Sequence, residues 1–348
     1  MKAKIFSLLL IFLLFSCKKE TYTFNTDWQK ISERVQFRES GESLELKSGK
    51  FSYKIPHSKL PMKKIVLLNA SLVGYFTELG REDRIAGVSS PEYIYSDKVL
   101  DLIKEGKIAD VGSEQKYNVE KIVALKPDAV ITNHIASFEN TYDLLKKNGI
   151  EVFFLDEYLE QDPLEKSKYL LLFGKLFGMD KASVVRFNEI KSSYDSLKAL
   201  TSKINEKPLV LANEIYGSQW YMPGGKTQLA RLLKDAGGEY ILKDNTEDKA
   251  VPMSFEEVYV KAKNARFWVN AGNHSTKKSL LMMNPGYQKL DVFNGGKIYS
   301  ISGREKGSAN DFFESGVVRS DLVLKDYIRI FHPHLLPDYQ LRYLKELK

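Results

Sequence analysis

At the ends of its strand-length apolar runs this chain gathers aromatic and polar side chains: Tyr93, Tyr95, His134, Tyr216, Trp220, Tyr221, His274, Arg304, Phe312 and Phe313. Asn69, Ser71 and Ser89 sit in loops of the same kind. Flat aromatic walls with a few hydrogen-bonding groups suit a large planar or cage-like chelate better than a bare ion. His134 and His274 follow two strands of similar sequence, so imidazoles could face a bound group from both sides, as axial ligands to haem iron or as donors to a chelate. A hydrogen-bonded surface histidine at each place is the other reading. Direct zinc or manganese capture is weaker still, because a closed site needs three or four converging His or carboxylate ligands. Arg304, with Lys306 in the loop SGREKGSAND, is the best positive group for an anionic ligand edge, set against a solvated pair with Glu305.

Signatures of catalysis are absent from the sequence: no nucleophile elbow, no zinc-protease helix, no Rossmann fingerprint and no cysteine nucleophile. Ser89, Ser90, His134 and Asp156 make a triad only on paper. The run PGGKT at 223–227 ends like a phosphate loop, but Trp220 stands where the first glycine belongs. The net charge of +7 is modest for 348 residues, and its cations alternate with acids along helices. That pattern describes a solvated surface and excludes nucleic acid as a partner.

The elements that must hold these loops alternate strand and helix. Strands are expected at 65–69, 85–89, 108–111, 129–132 and 152–155, with helices at 71–79, 96–105, 119–125 and 138–147. A second set has strands at 209–212, 267–271 and 297–301 and helices at 227–236, 255–262 and 321–331. Such alternation predicts α/β architecture with mostly parallel sheets. The segment NVEKIVALKPDAVIT at 118–132 is echoed by SFEEVYVKAKNARFWVN at 254–270. Asn118 and Ser254 are N-cap types, each followed by an acid, Glu120 and Glu256, where the helix dipole favours negative charge. The echo implies two similar lobes, with ligand bound between them at the carboxyl ends of the strands. Residues 164–205 lack proline and, although Gly174 and Gly178 could interrupt the start, read as one long connecting helix, which implies a stiff hinge and a small closure. The expected divisions are a leader at 1–16, an extension at 17–62 with a hairpin turning at Ser48-Gly49, a first lobe at 63–163, the connector, and a second lobe at 206–348.

At the N-terminus Lys2 and Lys4 precede an apolar run too short to span a bilayer, ending in Leu14-Phe15-Ser16-Cys17. Cys17, the sole cysteine, makes this resemble the lipobox of bacterial lipoproteins, in which the cysteine is lipidated and anchors the chain to a membrane; the expected location is the periplasm. Further along, LGREDRIAGVSS (79–90), DVGSEQKYNVEKIVALKPDAVIT (from Asp110), LLKDAGGEYI (232–241) and SFEEVYVKAKNARFWV resemble landmarks of the helical-backbone, class III substrate-binding proteins of ABC importers for ferric siderophores, haem and cobalamin. The similarity covers about 63–334 in the right order, and the extension with DEYLEQDPLEKSKY resembles Bacteroidetes-type members. The resemblance implies a monomer that binds a metal chelate without a resident cofactor or metal and docks on a permease dimer through one glutamate per lobe, by motif position Glu120 and Glu256. A lipid-anchored hydrolase or adhesion module is the alternative.

Overall fold

The computed structural model describes residues 27–113 and 115–348; the leader at 1–16 and the lipidation site Cys17 lie outside the described residues. Four antiparallel strands come first: β1 (Gln29–Lys30), β2 (Val35–Ser40), β3 (Ser43–Ser48) and β4 (Phe51–Pro56), with the β3–β4 turn at Gly49. Leu44, Leu46 and Ile55 point into the first lobe's core. The Tyr53 hydroxyl accepts the Phe154 N–H at 2.9 Å, satisfying a donor on the lobe's edge strand that would otherwise be open to pairing.

The first lobe holds β5 (Ile65–Leu67), β6 (Ile85–Val88), β7 (Ala109–Asp110), β8 (Ala129–Thr132) and β9 (Glu151–Phe154), ordered β9-β8-β5-β6-β7 and all parallel. Its helices include α1 (Val73–Glu78), α2 (Asp97–Lys104), α3 (Val119–Leu125) and α4 (Glu139–Lys147). Every residue of β8 is buried, as a strand covered on both faces requires. The direction of winding reverses between β5 and β8.

The expected connector is two helices, and its physical boundary differs from the sequence reading. α5 (Pro163–Phe177) starts in a capping box made by Asp162 and Glu165, and its apolar residues from Tyr169 to Phe177 belong to the first core. The chain then turns at Gly178, whose φ of 70° suits glycine, and a Cβ on Gly174 would lie 2.3 Å from the Ser183 Cβ of the next helix. That helix, α6 (Asp180–Thr201), places Phe187 and Ile190 in the first core and Tyr194 and Leu197 in the second. Only α6 crosses here, and its 22 residues reach about 33 Å.

The second lobe holds β10 (Leu209–Ala212), β11 (Ile215–Tyr216), β12 (Gln219–Pro223), β13 (Glu239–Tyr240), β14 (Ala250–Met253), β15 (Phe267–Val269), β16 (Lys297–Ser300) and β17 (Lys345–Glu346). Its main sheet runs β13-β10-β15-β16-β17, parallel except for β17, while β11, β12 and β14 form a small antiparallel sheet. Winding reverses between β10 and β15, so the lobes are alike in kind but not in strand order. Helices α7 (Gln228–Asp235), α8 (Phe255–Lys261), α9 (Lys277–Met283) and α10 (Asp291–Gly295) complete its periphery. The chain then crosses a second time: α11 (Ser315–Val318) sets Val318 in the first core, and α12 (Ser320–Phe331) returns to the second. Gly74 on α1 permits this crossing, since a Cβ there would stand 2.3 Å from the Glu314 carbonyl oxygen. Among the described residues no helix is long and apolar enough to cross a membrane.

Candidate functional site

Loops from the first lobe's winding reversal, carrying Asn69 and Asn133 after β5 and β8, meet Asn273 from the loop after β15 of the second. Loops leaving adjacent strands diverge at such a point and leave a crevice beyond the strand ends. Here a cavity of about 650 Å³ is lined by Asn69, Ala70, Ser71, Tyr93, Asn133, Glu157, Tyr158 and Lys166 from the first lobe and by Asn273, Ser308, Asn310, Phe313, Glu314 and Val317 from the remainder of the chain.

Asn69 and Asn133, which follow β5 and β8, fix the floor. The Asn69 amide nitrogen donates to the Asn133 side-chain oxygen, while the Asn69 oxygen accepts the Ser71 N–H at 2.9 Å and opens the turn into α1. The Ser71 hydroxyl donates to Glu157 Oε1 at 2.6 Å, and Asn133 Nδ2 donates to Glu157 Oε2 at 3.1 Å and to the Leu155 carbonyl at 2.8 Å. Burial raises the Glu157 carboxyl above the usual range, and the hydrogen bond from Ser71 offsets part of that rise. Lys166 is shifted the other way: burial lowers its ammonium, opposed by the negative charges of Glu157 and Glu160. Beneath them Glu160 accepts hydrogen bonds from Tyr169 at 2.6 Å and, out of the N-terminal sheet's own segment, from Ser32 at 2.7 Å. At the back Glu314 accepts the Tyr95 N–H at 2.7 Å, and burial pushes its carboxyl up to about 7. Tyr93, Tyr158 and Phe313 stay roughly half exposed and form the aromatic walls.

Asn69, Ser71, Tyr93 and Phe313 of the sequence candidates therefore line the cleft. The others are placed differently, each for a local reason. Alternation along β12 turns Trp220 inward, where it is fully buried, donates from Nε1 to the Ala212 carbonyl at 3.1 Å and packs on Trp268 and Tyr287. The same alternation sends Tyr221 outward, and Tyr216 stands 82% exposed at the hairpin tip; neither lines the cavity. Ser89 is buried and its hydroxyl finds no partner, so the paper triad is not assembled. His134 lies between Phe51 and Phe154 with Nε2 2.6 Å from Glu139, and His274 Nε2 lies 2.7 Å from Glu214. Each imidazole is thus engaged within its own lobe, off the cavity wall. Among the described residues no three His, Cys, Asp or Glu side chains converge as metal donors.

Arg304 pairs with Asp311 at 2.6 Å and rests on the Tyr95 ring, and Lys306 binds Asp97 at 2.5 Å. These cations tie the lobes together beside the cleft instead of facing a ligand edge. Phe312 packs on Phe313 and Tyr343 behind the wall. Glu157 and Tyr158 were missed, although the rule that selects loops after strand ends applies equally to the loop after β9; Lys166 was missed because it stands on α5 and not in a loop.

Away from the cleft, Asn118 accepts the Lys121 N–H to start α3, and Ser254 forms a capping box with Glu257 to start α8. Glu120 and Glu256 are exposed in those first turns, on separate lobes.

Comparison with known proteins agrees with this architecture. An uncharacterized lipoprotein of Methanocaldococcus jannaschii is 22% identical over 79% of this chain and 66% of its own length, so the chain spans just under two thirds of that relative. The petrobactin-binding protein of Bacillus subtilis is 25% identical over 43% of this chain and 45% of its own. A periplasmic heme-binding protein from Pseudomonas aeruginosa superposes with a TM-score of 0.58 at 17% identity, covering 82% of this chain and 98% of that one, which speaks to the fold. The model of the family described as periplasmic binding protein matches residues 65–304, and the chain belongs to that family.

Proposed function

We propose that this protein is the substrate-binding component of an ABC importer, anchored through lipidated Cys17 on the periplasmic side of a membrane, and that it captures an iron–siderophore, haem or cobalamin-type chelate between its lobes. One observation carries the reading: a cavity with walls from both lobes, set where the winding of the first lobe's sheet reverses, in a member of this family. Its volume of about 650 Å³ falls in the range of small-molecule sites, and its half-exposed Tyr93, Tyr158 and Phe313 offer flat apolar faces beside amide and hydroxyl groups. The names of similar proteins that bind heme and petrobactin support the same ligand class. Glu120 and Glu256 are the proposed contacts to the permease, because exposed carboxylates at helix starts are free to pair with cations across an interface.

The test is a visible-spectrum and equilibrium-dialysis screen of the mature protein against haem, ferric siderophores and cobalamin. Saturable binding of one class that weakens when Tyr93 or Tyr158 is truncated to alanine supports the proposal. Absence of saturable binding to all three classes sinks it.

A further inference from the structure

The proposed chelate has a property that the cleft itself restricts, namely its charge. Among the described residues lining the cavity, Lys166 is the sole cation, and Glu157 and Glu314 are two carboxyls facing the same space. Two cations beside the cleft are committed, Arg304 to Asp311 and Lys306 to Asp97, and Arg34, whose charge reaches Tyr158 and Glu160, does not line the cavity. Lys166 makes no ion pair within 4.0 Å among the described residues, and the carboxylates whose charges reach it are Glu157 and Glu160. Its ammonium is therefore balanced at a distance by the protein's own acids while its donors remain open to the cavity. The rest of the lining is neutral, with the amides of Asn69, Asn133, Asn273 and Asn310 prominent.

We infer that, within the importer reading on which this rests, the cleft selects ferric chelates of low net charge, with Lys166 donating to one ligand oxygen and Glu157 and Glu314, when ionised, turning away polyanions. A ferric ion held by three hydroxamates is neutral, whereas three catecholates leave it triply negative. Both complexes are compact, oxygen-ligated cages, so charge is the main difference the cleft reads. Amide side chains suit the first, since hydroxamate oxygens and backbone amides of the carrier need donors and acceptors without net charge. The second would bring several negative charges against two carboxyls with one ammonium to meet them, in a site screened less than open surface.

The experiment titrates the mature protein at pH 8, above the value near 7 to which burial raises Glu314, with a neutral ferric trihydroxamate and a ferric tris-catecholate at equal ionic strength, with radioiron dialysis as the readout. The trihydroxamate should bind at least about tenfold more tightly. Glu157→Gln should narrow that ratio by about threefold or more, because it removes a repelling charge at nearly constant shape. Should Glu157→Gln not fold, the wild-type ratio measured across salt concentrations takes its place, and it should shrink as salt rises. Equal or tighter binding of the tris-catecholate, or a ratio indifferent to both the substitution and salt, overturns the charge selection and leaves the importer reading standing. Failure of haem, cobalamin and every siderophore to bind overturns both.

Discussion

Glu314 carries its carboxyl at the back of the cleft, where burial raises it from the ordinary 4.5 to about 7. Between those values the folded protein keeps a proton that the unfolded chain has released, so stability falls as pH rises through that window and levels off above about 7. The full shift corresponds to about 3 kcal/mol. Glu314→Gln should therefore leave the melting temperature near wild type at pH 4 and raise it progressively relative to wild type up to pH 8; a constant offset across a thermal-melt series would show that the carboxyl's protonation is not what the fold feels. Trp220 is a residue of a different kind. Trp220→Ala should cost about 3–5 kcal/mol in denaturant unfolding through the cavity it leaves, while the affinity of the remaining folded protein for the proposed chelate stays unchanged. The contrast shows how far residues could be read in advance. Asn69, Ser71 and Tyr93 were legible because they follow strands whose ends could be located. Trp220 and His134 were not, because facing the cleft or facing one's own core depends on the alternation of a hairpin and on packing against Phe51, a residue from another sheet.

Elements were more legible than sites, since caps and strand periodicity are written locally. The small sheet of β11, β12 and β14 and the returning C-terminal tail, however, were not legible in advance. That tail is held by Asp326, which accepts hydrogen bonds from the Tyr339 hydroxyl at 2.7 Å and from the Tyr343 and Leu344 N–H groups at 2.7 and 3.0 Å. No local pattern announces such long-range partners. The break between α5 and α6 was marked in the sequence only by Gly174 and Gly178: glycine inside an apolar-periodic run is compatible with a continuous helix, and the left-handed turn at Gly178 and the close approach of Gly174 to Ser183 decide otherwise. Gly174→Ala should destabilise the protein by about 1–3 kcal/mol, read by urea unfolding, because the added methyl has no space between the two helices. Ser254→Ala should cost about 1 kcal/mol by loss of the α8 cap, a surface change that leaves chelate affinity intact in the same titration.

For the whole molecule the decisive fact is that the two lobes are joined twice, by α6 and by the passage through α11 into α12. Ser167 strengthens the second join, donating to the Val318 carbonyl at 2.6 Å and lying 2.8 Å from the Ser320 hydroxyl. Glu120→Arg combined with Glu256→Arg should abolish uptake and permease association while chelate affinity and melting temperature stay near wild type; normal uptake by the double variant in cells would remove both residues from the docking surface. The double join bears on the proposed docking in a further way. Two carboxylates mounted on separate bodies that are braced at two places stand at a set spacing, as the jaws of a locked calliper do. A permease with sockets at matching separation would then recognise this carrier by width as much as by charge, and a neighbouring importer's carrier with the same acids at another spacing would be refused.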